Sequence, residues 1–217
     1  MKKEIVIANT EKFVQERLAK EGTGHDWWHI YRVRNNARLI CQTEKADRFV
    51  VEMAVMLHDV GDRKVVNKDE DDFTIAENFL KKQKVPPQIS EQIMYIIKHM
   101  SFGKSFDNQR YNTSIEFQVV QDADRLDAIG AIGIARAFTF GGNKGRPLYD
   151  PTQKARKVRS YADYKKLDTS TLHHFYEKLL LLKDLMHTKT AKKIALQRHT
   201  YMKKYLKQFL LEWEGKK

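Results

Sequence analysis

A histidine and an aspartate stand next to each other at positions 58 and 59, directly after an apolar run at residues 50–57. Ionisable side chains at the end of so apolar a helix need compensation for their lost hydration, and a metal ion would provide it. Neighbours on a regular helix diverge by about 100°, but both side chains can turn toward one ion where the helix ends. His58 and Asp59 are therefore candidate metal ligands.

Further ligands are expected from two other predicted helices. His29 shares a helix face with polar Arg32, so this face can point inward to a site. Asp124 lies on another helix, where Asp122 and Asp127 are its rivals and spacing does not choose among the three. Imidazole nitrogen with carboxylate oxygen suits one divalent ion, Mn, Mg, Fe, Co or Zn, and does not discriminate sharply among them.

Composition limits the kind of protein that carries these residues. A length of 217 residues favours one core domain with embellishments, and 40 Lys and Arg against 28 Asp and Glu give a net charge of +12, which suits phosphate-bearing partners. The apolar 41% is too much for a disordered chain and too dispersed for a membrane span. Cys41 stands alone, which excludes an internal disulfide framework, and the first residues do not form a signal-peptide core. We expect a cytoplasmic globular protein.

Helices must position the candidate ligands, because Gly and Pro are scarce and strict alternation of apolar and polar residues is almost absent. The patterns predict an all-α helical bundle. Capping-box patterns at Thr74 and Thr113 predict helix starts there. The longest predicted loop runs from residue 138 to 169.

The C-terminal part is predicted to be a helical hairpin packed on the bundle. Two long Lys-rich amphipathic helices, at residues 172–186 and 191–213, would form it. We therefore divide the chain into a core at residues 1–155 and an extension of the same domain at residues 156–217.

Three segments resemble the HD-domain metal-dependent phosphohydrolases, and specifically the bacterial stand-alone HD hydrolases. They are GHDWWH at residues 24–29, LHDVGD at 57–62 and QDADRLDAIG at 121–130. The resemblance covers residues 20–155, and the two C-terminal helices also look like the tail of that subfamily. It implies one divalent metal ion between helices, and the residues implied as its ligands are His29, His58, Asp59 and Asp124.

The resemblance also implies an activity, the hydrolysis of a phosphoester or phosphoanhydride by metal-activated water. Some close relatives cleave nucleoside triphosphates to the monophosphate and pyrophosphate, so a nucleotide is the expected substrate. A divalent ion lowers the pKa of water and neutralises charge on phosphoryl oxygens, which agrees with this chemistry. Asp62 matches the acidic position that orients or deprotonates the attacking water in related enzymes, so we expect it to be the catalytic residue.

Cations near the expected ligands are candidates for binding the phosphates. Arg32, Lys64 and Arg125 lie within a few residues of the ligands in sequence, and guanidinium groups suit two phosphate oxygens at once. His25 and His99 are further candidates for a phosphate contact.

Other residues have two interpretations. Trp27 and Trp28 can stack on a base or belong to the core. His173 and His174 are candidates for a second metal site. Adjacent residues on a helix point apart, however, and no carboxylate at a suitable spacing accompanies them, which argues against such a site.

Two alternative functions remain. The first is a phosphodiesterase or 5′-nucleotidase of the same superfamily. The second is a non-catalytic basic helical protein that binds nucleic acid, which the sequence disfavours because its basic residues are interleaved with apolar and acidic ones and form no recognised motif. The expected partner is a phosphorylated small molecule, a nucleotide. A membrane partner is not expected, a nucleic-acid partner is disfavoured, and the sequence does not predict the oligomeric state.

Overall fold

The computed structural model describes residues 1–19, 26–61, 73–106, 113–157, 160, 163 and 169–217. The described residues form two compact units, Met1–Asp124 and Arg125–Lys217. They contain helices and no strand, which confirms the predicted all-α class. None of these helices combines the length and apolar character that crossing a membrane requires. The division predicted at residue 155 remains a prediction.

The first unit is built around one apolar helix. Its described helices are α1 (Lys3–Leu18), α2 (Trp27–Ile40), α3 (Arg48–Leu57), α4 (Thr74–Lys82), α5 (Pro87–His99) and α6 (Ile115–Asp127), with a short 3-10 turn at Phe102–Phe106. The last three residues of α6 belong to the second unit. Every residue of α3 after Arg48 is buried, and α3 packs against α1, α2 and α5. The apolar run of the sequence is therefore the central helix of this unit.

One charged side chain is buried within α3. The Glu52 carboxylate accepts hydrogen bonds from Arg34 Nε at 2.7 Å and from Arg38 Nη2 at 2.9 Å, both on α2. Arg34 also donates to Glu11 of α1 at 2.8 Å. Burial acts to raise the pKa of Glu52, but the two arginines outweigh it and hold that pKa below its ordinary value. These bonds tie α1, α2 and α3 together.

In the part of the second unit that the structure describes, the α-helices are α7 (Gly130–Asn143), α8 (Thr171–Glu177) and α9 (Lys189–Trp213), with a 3-10 helix at Leu179–Leu185. The Phe138 ring of α7 lies 5.9 Å from that of Phe175 in α8 and 6.0 Å from that of Phe209 in α9. Gly141 allows α7 to approach α8, because a Cβ there would lie 2.0 Å from Thr171 Oγ1. Gly141 thus serves helix packing, whereas a Cβ at Gly142 would meet nothing within 4 Å.

Several local predictions were wrong. Helix α7 extends to Asn143, so the predicted loop begins later than residue 138. The helix predicted at 172–186 is broken, since Lys178 leaves helical geometry at φ −140°, ψ −58° and a 3-10 helix follows. The helix start predicted at Thr74 is confirmed, but Thr74 is the first residue of α4 and not its N-cap. At α6 the hydroxyl of Ser114, not of Thr113, accepts from a backbone amide, that of Phe117.

Candidate metal centre

His29 lies in the first turn of α2 and is buried. Asp26 is the N-cap of this helix, and its carboxylate accepts a hydrogen bond from the His29 backbone amide at 2.9 Å. N-cap bonds of this kind satisfy amides that have no partner within the helix. The cap therefore fixes the backbone that presents the His29 imidazole.

His58 and Asp59 follow the last residue of α3, as the sequence predicts. The His58 Nδ1 lies 2.7 Å from the Val55 carbonyl oxygen. Since a carbonyl only accepts, Nδ1 carries the proton of the neutral ring and Nε2 is left with its lone pair. That Nε2 lies 3.3 Å from Asp59 Oδ1, so the ring presents its ligand atom to the carboxylate.

Asp124 lies on α6, and a buried hydrogen bond joins this helix to α2. The Asn36 Nδ2 donates to the carbonyl of Ala123, next to Asp124, at 3.2 Å. The Asp124 side chain is 34% exposed, whereas those of His29, His58 and Asp59 are buried. Solvent therefore reaches the cluster on its Asp124 side.

The four predicted ligands meet in one cluster. His29 Nε2 lies 3.4 Å from Asp59 Oδ2 and 3.4 Å from Asp124 Oδ1. The ligand atoms of His29, His58 and Asp59 all lie within 4.8 Å of one another. Two ligands of one ion, each about 2.1 Å from it in a tetrahedral arrangement, are separated by roughly 3.4 Å. The donor types and their spacing thus fit a divalent ion.

The electrostatics of the cluster also favour a bound cation. Burial acts to lower the pKa of His58, but the Asp59 and Asp124 carboxylates outweigh it and raise that pKa to about 9. Burial acts to raise the pKa of Asp124, while the neighbouring His29 and His58 hold it well below its usual range. Two carboxylates in a buried cluster call for positive charge, and a divalent ion supplies it.

Asp122 and Asp127 were the rivals of Asp124 on α6. Asp127 is buried and pairs with Arg136 Nη1 at 2.8 Å. Asp122 is also buried, and it lies two positions before Asp124, about 200° around the helix. Asp124 has the contact expected of the ligand, since its Oδ1 lies 3.4 Å from His29 Nε2.

Three of the predicted substrate-binding residues lie on three different helices. Arg32 lies one turn after His29 on α2 and is partly exposed. His99 ends α5, with its Nδ1 donating to the Tyr95 carbonyl at 2.7 Å. Arg125 belongs to the second unit and is buried, and its guanidinium donates to the Leu185 carbonyl and lies 3.3 Å from His187 Nε2. Their contact with substrate remains a prediction.

The other three predicted site residues, His25, Asp62 and Lys64, lie outside the described residues.

Sequence reasoning missed three groups that position the ligands. Asp26 has a visible signal, an aspartate three residues before a histidine at a helix start. The Asn36 bond to Ala123 joins residues 87 positions apart, and the Val55 carbonyl is a backbone group, so neither has a sequence signal of its own.

Comparisons with known proteins show the family to which the chain is similar. The HD domain family matches residues 27–129. YpgQ of Bacillus subtilis is 41% identical over 196 residues, which cover 90% of this chain and 88% of YpgQ. A crystal structure of YpgQ in complex with ADP has a TM-score of 0.76 at 36% identity and covers 97% of this chain and 100% of that one.

Two other crystal structures cover 98% of this chain and 98% of their own. A Lactobacillus plantarum protein has a TM-score of 0.88 at 38% identity. An HD-superfamily hydrolase of Bacillus thuringiensis has a TM-score of 0.75 at 42% identity. The chain belongs to the HD-domain phosphohydrolase superfamily.

Proposed function

We propose that this protein hydrolyses a phosphoanhydride of a nucleotide with one divalent metal ion held by His29, His58, Asp59 and Asp124. The specific reaction would convert a nucleoside triphosphate and water to the monophosphate and pyrophosphate. The main support is the spacing of 3.3–3.4 Å between imidazole nitrogens and carboxylate oxygens in the cluster. That spacing suits ligands of a metal ion, and superfamily membership supports phosphoryl chemistry.

A nucleotide is favoured as the substrate for two reasons. The related YpgQ was crystallised with ADP, which contains the same kind of anhydride. The chain carries a net charge of +12, which favours the approach of a polyanion.

Different residues would bind the metal, the attacking water and the phosphate. His29, His58, Asp59 and Asp124 would hold the ion, and Val55 would keep His58 in the tautomer that binds it. When bound, the ion would lower the pKa of a water and neutralise charge on the phosphoryl oxygens. Asp62 would position or deprotonate the attacking water, and Arg32 would bind a phosphate.

The test compares ligand variants with a matched control. His58→Ala and Asp59→Ala should lose both bound metal, measured by elemental analysis, and nucleotide hydrolysis, with helical circular dichroism retained. Asp62→Asn should keep the metal and lose turnover. His199→Ala, a histidine substitution in the second unit, should retain both. Full activity after exhaustive chelation would refute the proposal.

The products identify the bond that is cleaved. A panel of nucleotides with Mn, Mg, Fe, Co and Zn, resolved by ion exchange, should give monophosphate and pyrophosphate. Release of inorganic phosphate from a nucleoside triphosphate would favour a phosphatase instead. Release of phosphate from a monophosphate would favour a 5′-nucleotidase, and cleavage of a cyclic or diester substrate would favour a phosphodiesterase.

A further inference from the structure

An exposed aromatic pair lies on α2 beside the candidate metal centre. Trp28 is 61% exposed and Tyr31 is 47% exposed. Their ring centroids lie 5.8 Å apart with the planes at 78°, an edge-to-face contact in which the Tyr31 ring packs against the indole of Trp28. Large aromatic side chains exposed in this way are a favourable surface for stacking.

The order of side chains around α2 connects this pair with the cluster. At about 100° per residue, Arg32 lies about 60° around the helix from His29, Trp28 about 100° and Tyr31 about 160°, all in the same direction. His29 is buried, Arg32 is partly exposed and the two aromatic residues are exposed. Going around the helix from the metal ligand His29, one therefore meets first the cation and then the aromatic pair.

This order matches the parts of a nucleotide. The outer ends of two side chains about 100° apart on one helix are separated by roughly 8 Å. That distance is comparable with the reach from a phosphate group to the base. A phosphate at the cluster and near Arg32 would therefore leave the base over Trp28.

We propose that Trp28, supported by Tyr31, is the stacking platform for the base of the nucleotide. The inference rests on the proposed function, since it needs the phosphates to lie at the metal cluster. Stacking uses the π face that every base shares, so Trp28 would increase affinity for nucleosides over bare phosphate chains with little preference among bases. Trp28 would then be a specificity residue, and it would take no part in bond cleavage.

The test compares ligands with and without a base. Calorimetry in the presence of Mn²⁺ should show that Trp28→Ala weakens ADP binding about 5- to 100-fold and leaves inorganic pyrophosphate binding unchanged. In turnover, KM for ATP should rise while hydrolysis of inorganic tripolyphosphate stays constant. Trp28→Phe should recover part of the ADP affinity, and Tyr31→Phe should retain more of it than Tyr31→Ala.

The control is Leu39→Ala, which removes another exposed apolar side chain of α2, 44% exposed and more than two turns further along the helix. Leu39→Ala should leave the affinities for ADP and for pyrophosphate unchanged. Equal losses for ADP and pyrophosphate in Trp28→Ala, no loss for either, or no ADP binding by the wild type would overturn the inference. A wild-type dimer that Trp28→Ala converts to a monomer without an ADP-specific loss would also overturn it and assign the pair to self-association.

The proposed function fails by a different result. If the wild type binds ADP through Trp28 but hydrolyses neither ATP nor tripolyphosphate with any metal, the platform stands and the hydrolytic assignment falls.

Discussion

The side-chain amide of Asn36 donates to the backbone carbonyl of Ala123 at 3.2 Å, and this buried bond joins the helix of His29 to the helix of Asp124. The His29 Nε2 and the Asp124 Oδ1 lie 3.4 Å apart. The distance between these two side chains thus depends on a polar contact that neither of them makes. Asn36 is a positioning residue for the metal centre.

Replacing Asn36 by alanine should weaken metal binding. The Ala123 carbonyl loses its partner, and α6 can shift relative to α2 in the region of Asp124. Outer groups that orient metal ligands contribute about 10- to 100-fold to metal affinity, so Mn²⁺ affinity measured by calorimetry should fall by that factor. Asn35→Ala is the control, because Asn35 is exposed on the same helix. Equal metal affinities in the two variants would exclude the positioning role.

The arginines around Glu52 should differ sharply in their contribution to stability. Arg34→Ala leaves a buried carboxylate with one fewer partner and should lower the free energy of unfolding by about 3–5 kcal/mol. Arg48 lies 4.0 Å from the same carboxylate with a side chain that is 67% exposed. Arg48→Ala should therefore cost less than about 1 kcal/mol. Urea unfolding monitored by circular dichroism measures both, and similar losses would contradict the assignment.

The sequence was most informative where ionisable residues stand at the end of a predicted helix. His58 and Asp59 could be predicted as ligands because an ionisable pair follows an apolar helix that proves to be the buried α3. The family resemblance was needed to select Asp124. Its rival Asp127 pairs with Arg136, which lies on the next helix and gives no local signal.

Arg125 shows why nearness in sequence does not establish a substrate contact. The residue is adjacent to Asp124, yet its guanidinium donates to the carbonyl of Leu185, 60 positions away. The capping box at Thr113 failed for a related reason. Glu116, the acidic residue of that pattern, instead accepts from the backbone amide of Asp47 and from Gln92. Both side chains thus bind partners that are distant in sequence, and not the partners that local patterns predict.

His174 in the second unit should make stability depend on pH. Burial lowers its pKa, and the charges of Lys178 and Arg146 lower it further, from 6.5 to about 3. Below pH 6.5 His174 is protonated in the unfolded chain. In the folded chain it stays neutral until the pH falls to about 3. The contribution of His174 to stability is therefore complete above pH 6.5 and is lost as the pH falls toward 3.

The matched variant is His174→Gln, which removes the titrating group. Between pH 6.5 and pH 3 its free energy of unfolding should decline less steeply than that of the wild type, by up to about 1.4 kcal/mol per pH unit. Urea unfolding at a series of pH values gives both slopes. Parallel curves would show that His174 titrates normally in the folded protein.

Asp26 should contribute both to stability and to the metal centre, because its carboxylate holds the backbone amide of His29. Asp26→Ala removes the N-cap of α2 and should cost about 1 kcal/mol of unfolding free energy. The loosened first turn should also reduce Mn²⁺ affinity, since His29 lies within that turn. Asp26→Asn keeps an oxygen that accepts the same bond, so it should retain most of the stability and the metal affinity. Loss of metal binding in Asp26→Asn comparable with that in Asp26→Ala would mean that the charge of Asp26 matters there, and its capping bond does not.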